Sequence, residues 1–341
     1  MGKISPFSNG LSNNSLVRCT LCPHTCHIGL EQTGRCGTRK NVDGQLEVLT
    51  YGRLAAVAVD PIEKKPLNHF MPGTSTFSVG TEGCNLICPF CQNAALSQCP
   101  LAKHYDATRV RSWTPLELVE MAGHHNCGSM AFTYSEPILS IEFALDVAPL
   151  AQAANLPILF VTNGQINPDP LDRLRPHLAA ANVDLKSASG DTYKKILKGD
   201  LAATVQTIDT LHRGGTWVEV TTLIVPGMNS TSGELEKMAR LIADISVDIP
   251  WHVSRFHPAY KVTDVAATAD STIENAIEIG ISTGLRYVYA GNMPGKQGEN
   301  TCCPNCKSVV VDRTGFRVNR IRTKQSRCPE CGYLIAGVGL P

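Results

Sequence analysis

The sequence predicts an α/β protein with a cysteine-rich region at each end. Segments with strand-like and helix-like patterns alternate along residues 76–289, and such alternation predicts parallel strands joined by right-handed helical crossovers. The fourteen cysteines fall into an N-terminal, a central and a C-terminal group, with Cys99 and Cys127 left over. We therefore expect a parallel sheet, open or closed into a barrel, between two metal-binding regions.

Length, charge and hydropathy exclude several classes of protein. The 341 residues carry a net charge of +1, so no basic or acidic partner is indicated. The sequence has no apolar run long enough to span a bilayer, and its polar first fifteen residues do not resemble a secretory signal. We therefore expect a cytoplasmic protein without a membrane or nucleic-acid partner. Under reducing conditions, so many cysteines indicate metal binding rather than disulfides.

The N-terminal cysteines have the spacing C-x2-C-x3-C-x9-C. Four soft ligands at this spacing can close a metal site, and Gly37 permits the tight turn that such a site needs. The composition suits zinc and a second iron–sulfur cluster equally well, so the metal stays open. The predicted ligands are Cys19, Cys22, Cys26 and Cys36.

Two short strands are predicted next, at Leu46–Tyr51 and Leu54–Val59, with Gly52 as the turn between them. In the following segment, Asp60–Leu67, two prolines bracket a charged tetrapeptide. This pattern excludes a helix interior and predicts an ordered loop or turn. The sequence leaves open whether its charges are simply solvated.

The central region is predicted to repeat a strand and a helix. The predicted strands are Thr76–Val79, Ser129–Thr133, Pro157–Thr162, Ala180–Leu185, Trp217–Val225, Trp251–Phe256 and Arg286–Tyr289. The predicted helices are Pro115–Gly123, Ile138–Ala154, Leu171–Leu178, Asp191–Leu197, Ala202–Arg213, Ser232–Ile245 and Thr272–Gly284. In barrels of this type the functional site collects at the C-terminal ends of the strands.

A C-x3-C-x2-C loop follows the first of these strands. It contributes three thiolates, Cys84, Cys88 and Cys91. A structural zinc ion normally takes four protein ligands, whereas an iron–sulfur cube held by three cysteines keeps one iron open for another molecule. A partial zinc knuckle or a set of reduced core cysteines is the alternative interpretation.

Polar residues also follow the next three strands. Glu136 precedes Pro137 at a helix start, where its carboxylate can accept hydrogen bonds from an ammonium group. A helix-start acid that is favoured only by the helix dipole is the alternative. Asn163 and the pair Asp184 and Lys186 follow the third and fourth strands and offer partners for hydroxyl and carboxylate groups.

The C-terminal cysteines form two C-x2-C knuckles, as in a zinc ribbon or a rubredoxin-like site. About forty residues cannot build a sufficient core, so metal ligation is expected to supply folding energy. The predicted ligands are Cys303, Cys306, Cys328 and Cys331.

The Gly80–Asn93 loop resembles the radical S-adenosylmethionine (radical SAM) superfamily, and Phe90-Cys91-Gln92-Asn93 is similar to its pyruvate formate-lyase activase branch. Together with Cys19–Arg39, Asp60–Phe70 and the terminal cysteine pairs, it resembles the AmmeMemoRadiSam-system radical SAM enzymes over nearly the whole chain. The resemblance implies a partial (βα)6 barrel and a [4Fe–4S] cluster on Cys84, Cys88 and Cys91.

The same resemblance implies that SAM is chelated to the open iron. Activase relatives contact the SAM amino group with a Gly-Gly-Glu-Pro stretch, and here Tyr134-Ser135-Glu136-Pro137 is similar but lacks both glycines, so only Glu136 carries over. Asn163, Asp184 and Lys186 resemble other SAM-contacting positions. The implied reaction is reductive cleavage of SAM to a 5′-deoxyadenosyl radical, which abstracts hydrogen from an unidentified small molecule or protein. An electron donor such as flavodoxin or ferredoxin is expected, and no catalytic side chain is identified.

Three functional hypotheses remain at this point: a radical SAM enzyme with an unidentified substrate, a glycyl-radical activase acting on a protein glycine, and a zinc-ribbon module that binds nucleic acid. The neutral charge disfavours the third. The predicted domains are an N-terminal extension at 1–75, the barrel at 76–299 and a metal-binding module at 300–341.

Overall fold

The computed structural model describes residues 2–10, 15–99, 110–293 and 298–341. Six short strands near the N-terminus are β1 Lys3–Ile4, β2 Ser8–Gly10, β3 Leu16–Cys19, β4 His27–Gly29, β5 Arg39–Val42 and β6 Gln45–Val48. They form two small antiparallel sheets, ordered β2-β3-β4 and β1-β6-β5. Of the first cysteine group, Cys19 ends β3, Cys22 and Cys26 lie in the β3–β4 loop, and Cys36 lies in the segment between β4 and β5 that connects the two sheets.

The largest sheet has eight strands, which are β7 Ala56–Pro61, β8 Ser75–Gly80, β9 Ser129–Phe132, β10 Ile158–Thr162, β11 Leu178–Asp184, β12 Trp217–Ile224, β13 Trp251–Arg255 and β14 Val288–Gly291. Each strand lies beside the next one along the chain. Strands β8 to β14 are parallel, and β7 pairs antiparallel with β8. This arrangement confirms the predicted α/β class with a central parallel sheet. Closure into a partial (βα)6 barrel stays a prediction, as do the domain boundaries.

Eight α-helices lie in the described ranges: α1 Ala94–Ser97, α2 Pro115–His124, α3 Ile141–Ala153, α4 Pro168–Leu174, α5 Gly190–Thr192, α6 Leu201–Arg213, α7 Ser232–Ala243 and α8 Asp270–Ser282. Local chemistry sets their ends: Thr114 and Glu117 form a capping box at the start of α2. None of the helices in these ranges is long and apolar enough to cross a bilayer.

Three predicted helices differ from the structure. The segment predicted as Ile138–Ala154 begins with a 3-10 turn at Pro137–Ser140, and α3 follows at Ile141. The segment predicted as Leu171–Leu178 begins earlier, at Pro168, and Leu178 already starts β11. A proline is well suited to the first turn of a helix, where its missing N–H is not needed, and this explains the earlier start. The segment predicted as Asp191–Leu197 divides into α5 and a π-helical turn at Tyr193–Leu197.

The predicted hairpin around Gly52 is wrong. Its first strand, β6, pairs with β1 and β5, whereas its second strand, β7, pairs with β8 in the large sheet. Alternation of apolar residues indicates a strand but does not identify its partner. Gly52, with φ of +67°, carries the chain between the two sheets, and a Cβ there would lie 2.5 Å from the Trp113 carbonyl oxygen.

Three of the four charged residues in the segment 60–65 are buried rather than solvated, and Lys64 is exposed. Asp60, Glu63 and Lys65 are each at most 5% exposed, and Lys65 Nζ lies 2.7 Å from Asp60 Oδ2. Residues Ile62–Lys64 form a short 3-10 turn, in agreement with the predicted ordered loop. The ion pair explains how Asp60 and Lys65 tolerate burial. Glu63 Oε1 instead accepts from the Gly73 backbone N–H at 2.9 Å and lies 3.7 Å from Arg313 Nε.

The C-terminal strands β15 Thr301–Cys302, β16 Val309–Thr314 and β17 Arg317–Ile321 form an antiparallel sheet. Buried polar contacts hold this ribbon against the segment after β7. Arg313 donates to the Asn68 carbonyl oxygen at 2.7 Å, and His69 Nδ1 lies 2.6 Å from the Ala336 carbonyl oxygen. The ribbon is therefore packed against the rest of the protein and not only tethered to it.

Candidate functional site

Four neighbouring parallel strands place the predicted site residues at their C-terminal ends, on one side of the sheet. The cysteine loop follows β8, Glu136 follows β9 and Asn163 directly follows β10. Asp184 is the last residue of β11, and Lys186 lies just beyond it. Because these strands are parallel, their C-terminal ends lie on the same side.

The cysteine loop is held by hydrogen bonds to its sulfur atoms. Cys84 Sγ accepts from the Leu86 backbone N–H at 3.4 Å and from Asn163 Nδ2 at 3.5 Å. Cys91 Sγ lies 3.2 Å from the Ser97 hydroxyl oxygen. Donors of this kind favour the thiolate form and orient metal-bound sulfur.

Burial makes these thiolates dependent on a positively charged partner. Desolvation raises the pKa of Cys88 to about 11 and that of Cys84 well above its usual value. Metal ions would supply the compensating charge. The potential metal ligands of the loop are cysteine sulfurs, carboxylate oxygens and histidine ring nitrogens. Among the described residues, no three such atoms of the loop lie within 4.8 Å of one another. Thiolates that bind different irons of one cluster need not lie as close together as those of a single ion.

Glu136 is buried and bonded to the end of the neighbouring strand. Its Oε1 accepts from the Thr162 hydroxyl at 2.7 Å and from the Ile138 backbone N–H at 3.1 Å. Its Oε2 accepts from the Asn163 backbone N–H at 2.8 Å. Desolvation nevertheless raises the pKa of Glu136 to about 7, because burial outweighs the hydrogen bonds that favour its charged form.

Asn163 links this carboxylate to the cysteine loop. Besides its contact with Cys84, its side-chain amide donates to Asn85 Oδ1 at 2.9 Å. Its own Oδ1 accepts from the Gln165 backbone N–H at 2.9 Å. These contacts fix the side chain, so its position beside the loop is determined by neighbours on both sides.

Asp184 and Lys186 form an ion pair beside Cys88. Lys186 Nζ lies 2.9 Å from Asp184 Oδ2, and the lysine side chain is 17% exposed. Burial opposes the charge of Lys186, but Asp184 and Cys88 more than offset it, so the pKa of Lys186 is raised. The ammonium group therefore stays protonated and available to an anionic ligand.

Two residues that support the site were not identified from the sequence. Asn85 accepts from the Asn163 side-chain amide, and Tyr193 accepts a hydrogen bond from the Lys186 backbone N–H at 3.1 Å. Asn85 lies between two of the loop cysteines, and this position is a usable signal. No sequence signal indicates Tyr193, because its π-helical turn brings it to the site from another segment.

The two cysteine quartets are separate from this loop in sequence and differ in geometry. In the C-terminal ribbon, Cys303 and Cys331 have their sulfur atoms 3.6 Å apart, as do Cys306 and Cys328. These four form a group that can hold a metal ion. The four N-terminal cysteines line one common cavity.

This chain is similar to known proteins in sequence and in fold. The sequence profile of the radical SAM superfamily matches residues 78–242. The uncharacterized protein MJ0808 of Methanocaldococcus jannaschii is 40% identical over 332 residues, covering 96% of this chain and 97% of that protein. A radical SAM methyltransferase from Sphaerobacter thermophilus shares the fold, with a TM-score of 0.51 and 14% identity over 88% of this chain and 81% of that one. A domain of pyruvate-formate lyase-activating enzyme from Bacteroides vulgatus is 14% identical, with a TM-score of 0.42 over 48% of this chain and 99% of that domain.

Proposed function

We propose that this chain, whose residues 78–242 match the radical SAM superfamily, is a radical SAM enzyme that binds a [4Fe–4S] cluster through Cys84, Cys88 and Cys91 and SAM at the open iron. The observation that carries this proposal is the position of the loop beside Glu136, Asn163 and Lys186 at the C-terminal ends of neighbouring strands. When bound, the cluster and SAM supply reductive cleavage to a 5′-deoxyadenosyl radical, which abstracts a substrate hydrogen.

The polar residues at the C-terminal ends of these strands are proposed to hold SAM by complementary charge. Glu136 Oε2 has one protein donor and can accept another hydrogen bond from the SAM ammonium group. Lys186 can donate to the SAM carboxylate, and Asp184 can accept from the ribose hydroxyls. Asn163 holds the Cys84 sulfur in position relative to both.

An apolar wall beside the loop is proposed to exclude water from the reacting groups. Leu86, Phe90, Tyr193 and Phe256 are buried in one cluster that also contains Cys88. Exclusion of water strengthens the charge contacts to SAM and protects reactive species from side reactions. The substrate is proposed to be a small molecule or a protein segment, and the reductant a flavodoxin or ferredoxin.

Zinc is proposed for the C-terminal ribbon. A tetrahedral zinc site with Zn–S bonds of about 2.3 Å places its sulfur atoms about 3.8 Å apart. The 3.6 Å sulfur separations in the ribbon are close to this value. The ribbon also packs against His69 and Asn68, so we assign it a structural role.

Electron paramagnetic resonance tests the proposed coordination of SAM. The anaerobically reconstituted and reduced protein should give a cluster signal whose g values shift when SAM is added, since SAM would bind an iron directly. Adenosine, which lacks the amino acid moiety, serves as the control and should leave the signal unchanged. A cluster signal that is insensitive to SAM would overturn the proposed coordination.

A further inference from the structure

The N-terminal cysteines form a second, separate ligand set. Cys19 ends β3, Cys22 and Cys26 lie in the loop that follows, and Cys36 lies before β5. All four line the same cavity, which Arg39 also lines. Four soft ligands around one space are the kind of donor set that metal sites use.

The spacing of these sulfur atoms differs from that in the C-terminal ribbon. Among the ligand atoms of the described residues, no three from the N-terminal set lie within 4.8 Å of one another, whereas all four ribbon sulfurs do. One zinc ion would draw its thiolates to about 3.8 Å from each other. An iron–sulfur cluster distributes its four thiolates over more than one iron, so it holds them farther apart.

Two neighbouring polar groups suit a cluster of negative charge. The Thr38 hydroxyl donates to Cys36 Sγ at 3.2 Å, and hydrogen bonds to the sulfurs tune such clusters. Arg39 is 1% exposed, and its Nε is a buried donor without a hydrogen-bond partner in the described structure. Its other two nitrogens bind Glu142 at 2.8 Å each. A buried guanidinium with a free donor beside four thiolates is expected where the group that they bind carries a net negative charge.

The cavity adjoins the loop that carries Cys84. Asn85 lines it, and its carbonyl oxygen lies 2.6 Å from His24 Nε2. Gly83 packs so closely on this region that a Cβ would lie 2.5 Å from Thr38 Cγ2 and 3.4 Å from the Cys36 carbonyl oxygen. The two cysteine groups are therefore neighbours in space, although they are separate in sequence.

We propose that Cys19, Cys22, Cys26 and Cys36 bind a second iron–sulfur cluster, adjacent to the cysteine loop and independent of it. Occupancy of this site does not require SAM or catalysis, so it can be tested separately from the proposed function. The ribbon quartet, with its closer sulfurs, remains a single-ion site in the same chain and serves as an internal comparison.

The test uses the full-length chain with Cys84→Ala, Cys88→Ala and Cys91→Ala combined, reconstituted anaerobically with iron and sulfide. Iron and sulfide should remain at about two to four atoms of each per chain, depending on cluster type, with the Mössbauer spectrum of an iron–sulfur cluster. Adding Cys22→Ala and Cys26→Ala should remove this iron, and the ribbon metal should stay. A loop variant without iron and sulfide, or one with two zinc ions per chain, overturns the proposal.

A second measurement avoids dependence on the folding of the variants. Wild-type protein enriched in ⁵⁷Fe should show two cluster populations, and only one of them should respond to SAM. Total iron should exceed the roughly four atoms of one cube. A single population with about four irons per chain, together with zinc at the N-terminal site, overturns the proposal as well. If the proposed function fails, the population that responds to SAM is missing, but the second cluster is still detected.

Discussion

The Asn163 backbone N–H donates to Glu136 Oε2 at 2.8 Å and so joins the ends of two neighbouring strands. Glu136 Oε1 already receives two donors, from Thr162 and Ile138. Oε2 therefore has the capacity for a further charged donor. The same carboxylate can hold the strand ends together and bind a ligand, so its two roles must be separated by experiment.

We expect Glu136→Ala to weaken SAM binding by roughly ten- to a hundredfold, since a charge-assisted hydrogen bond contributes about 1.5–3 kcal/mol. Iron content should not change. The melting temperature should also fall, because three donors lose their acceptor. Thr162→Val is the matched control, since it removes one structural donor and keeps the carboxylate. Calorimetric titration with SAM decides the matter, and unchanged affinity in the alanine variant would leave Glu136 a structural residue only.

SAM affinity should depend on pH through the same residue. The pKa of Glu136 is raised to about 7, so below this pH the neutral carboxyl group cannot pair with an ammonium group. Affinity should fall up to about tenfold per pH unit below this value and level off above it. The free energy of unfolding should change with pH in the opposite direction. It should fall as the pH rises from about 4.5, the usual pKa of the carboxyl, to about 7, because the folded state keeps this group protonated and the unfolded state does not.

Glu136→Gln provides the comparison, because it keeps the shape of the side chain and does not titrate. Its SAM affinity should be lower and nearly constant over the same pH range. Parallel curves for wild type and variant would show that another group controls the pH dependence.

Gly83→Ala should disturb the start of the cysteine loop. Gly83 has φ of +102°, and an added Cβ would lie 2.5 Å from Thr38 Cγ2, a side chain that is itself fully buried. Backbone strain and overpacking should together cost about 1–3 kcal/mol. Gly233→Ala in α7 is the control, since a Cβ there meets no atom within 4 Å. Denaturant unfolding and iron content measure the effect, and equal stability of the two variants would contradict this packing.

Arg39 and Glu142 should behave as a coupled buried pair. They are 1% and 2% exposed and form a two-pronged ion pair at 2.8 Å. Glu142→Leu leaves the buried guanidinium unpaired and should cost about 3–5 kcal/mol, whereas the double variant with Arg39→Met should recover part of that loss. The free energies of unfolding of the wild type, the two single variants and the double variant form a double-mutant cycle that tests this. Strict additivity of the two single effects would show that the pair is not coupled.

The sequence predicted much of the fold because its signals were local. Alternating patterns identified the strands from β8 to β14, and paired C-x2-C knuckles identified the four ribbon cysteines that the fold brings together. The partner of β7 could not be predicted, since apolar alternation is the same in either sheet. Burial of Lys65 was left open by the sequence, because the fold brings Lys65 over the Tyr134 ring and next to Asp60.

The site was predictable in its residue types but not in its contacts. Parallel strands bring Glu136, Asn163 and Lys186 to one side of the sheet, and strand order alone predicts this. The bond from Thr162 to Glu136 and the contact of Tyr193 with Lys186 depend on side-chain geometry. Their residue types are common in any core, so no pattern marks them.

The most direct test of the central claim is the formation of 5′-deoxyadenosine from SAM by the reduced protein, measured by mass spectrometry. The reconstituted wild-type chain should form it. The variant with Cys84, Cys88 and Cys91 replaced by Ala should not, while keeping its ribbon metal and a cooperative unfolding transition. Equal amounts from both proteins, or none from a wild-type chain fully loaded with iron and sulfide, would contradict the assignment of the loop as the SAM-cleaving site.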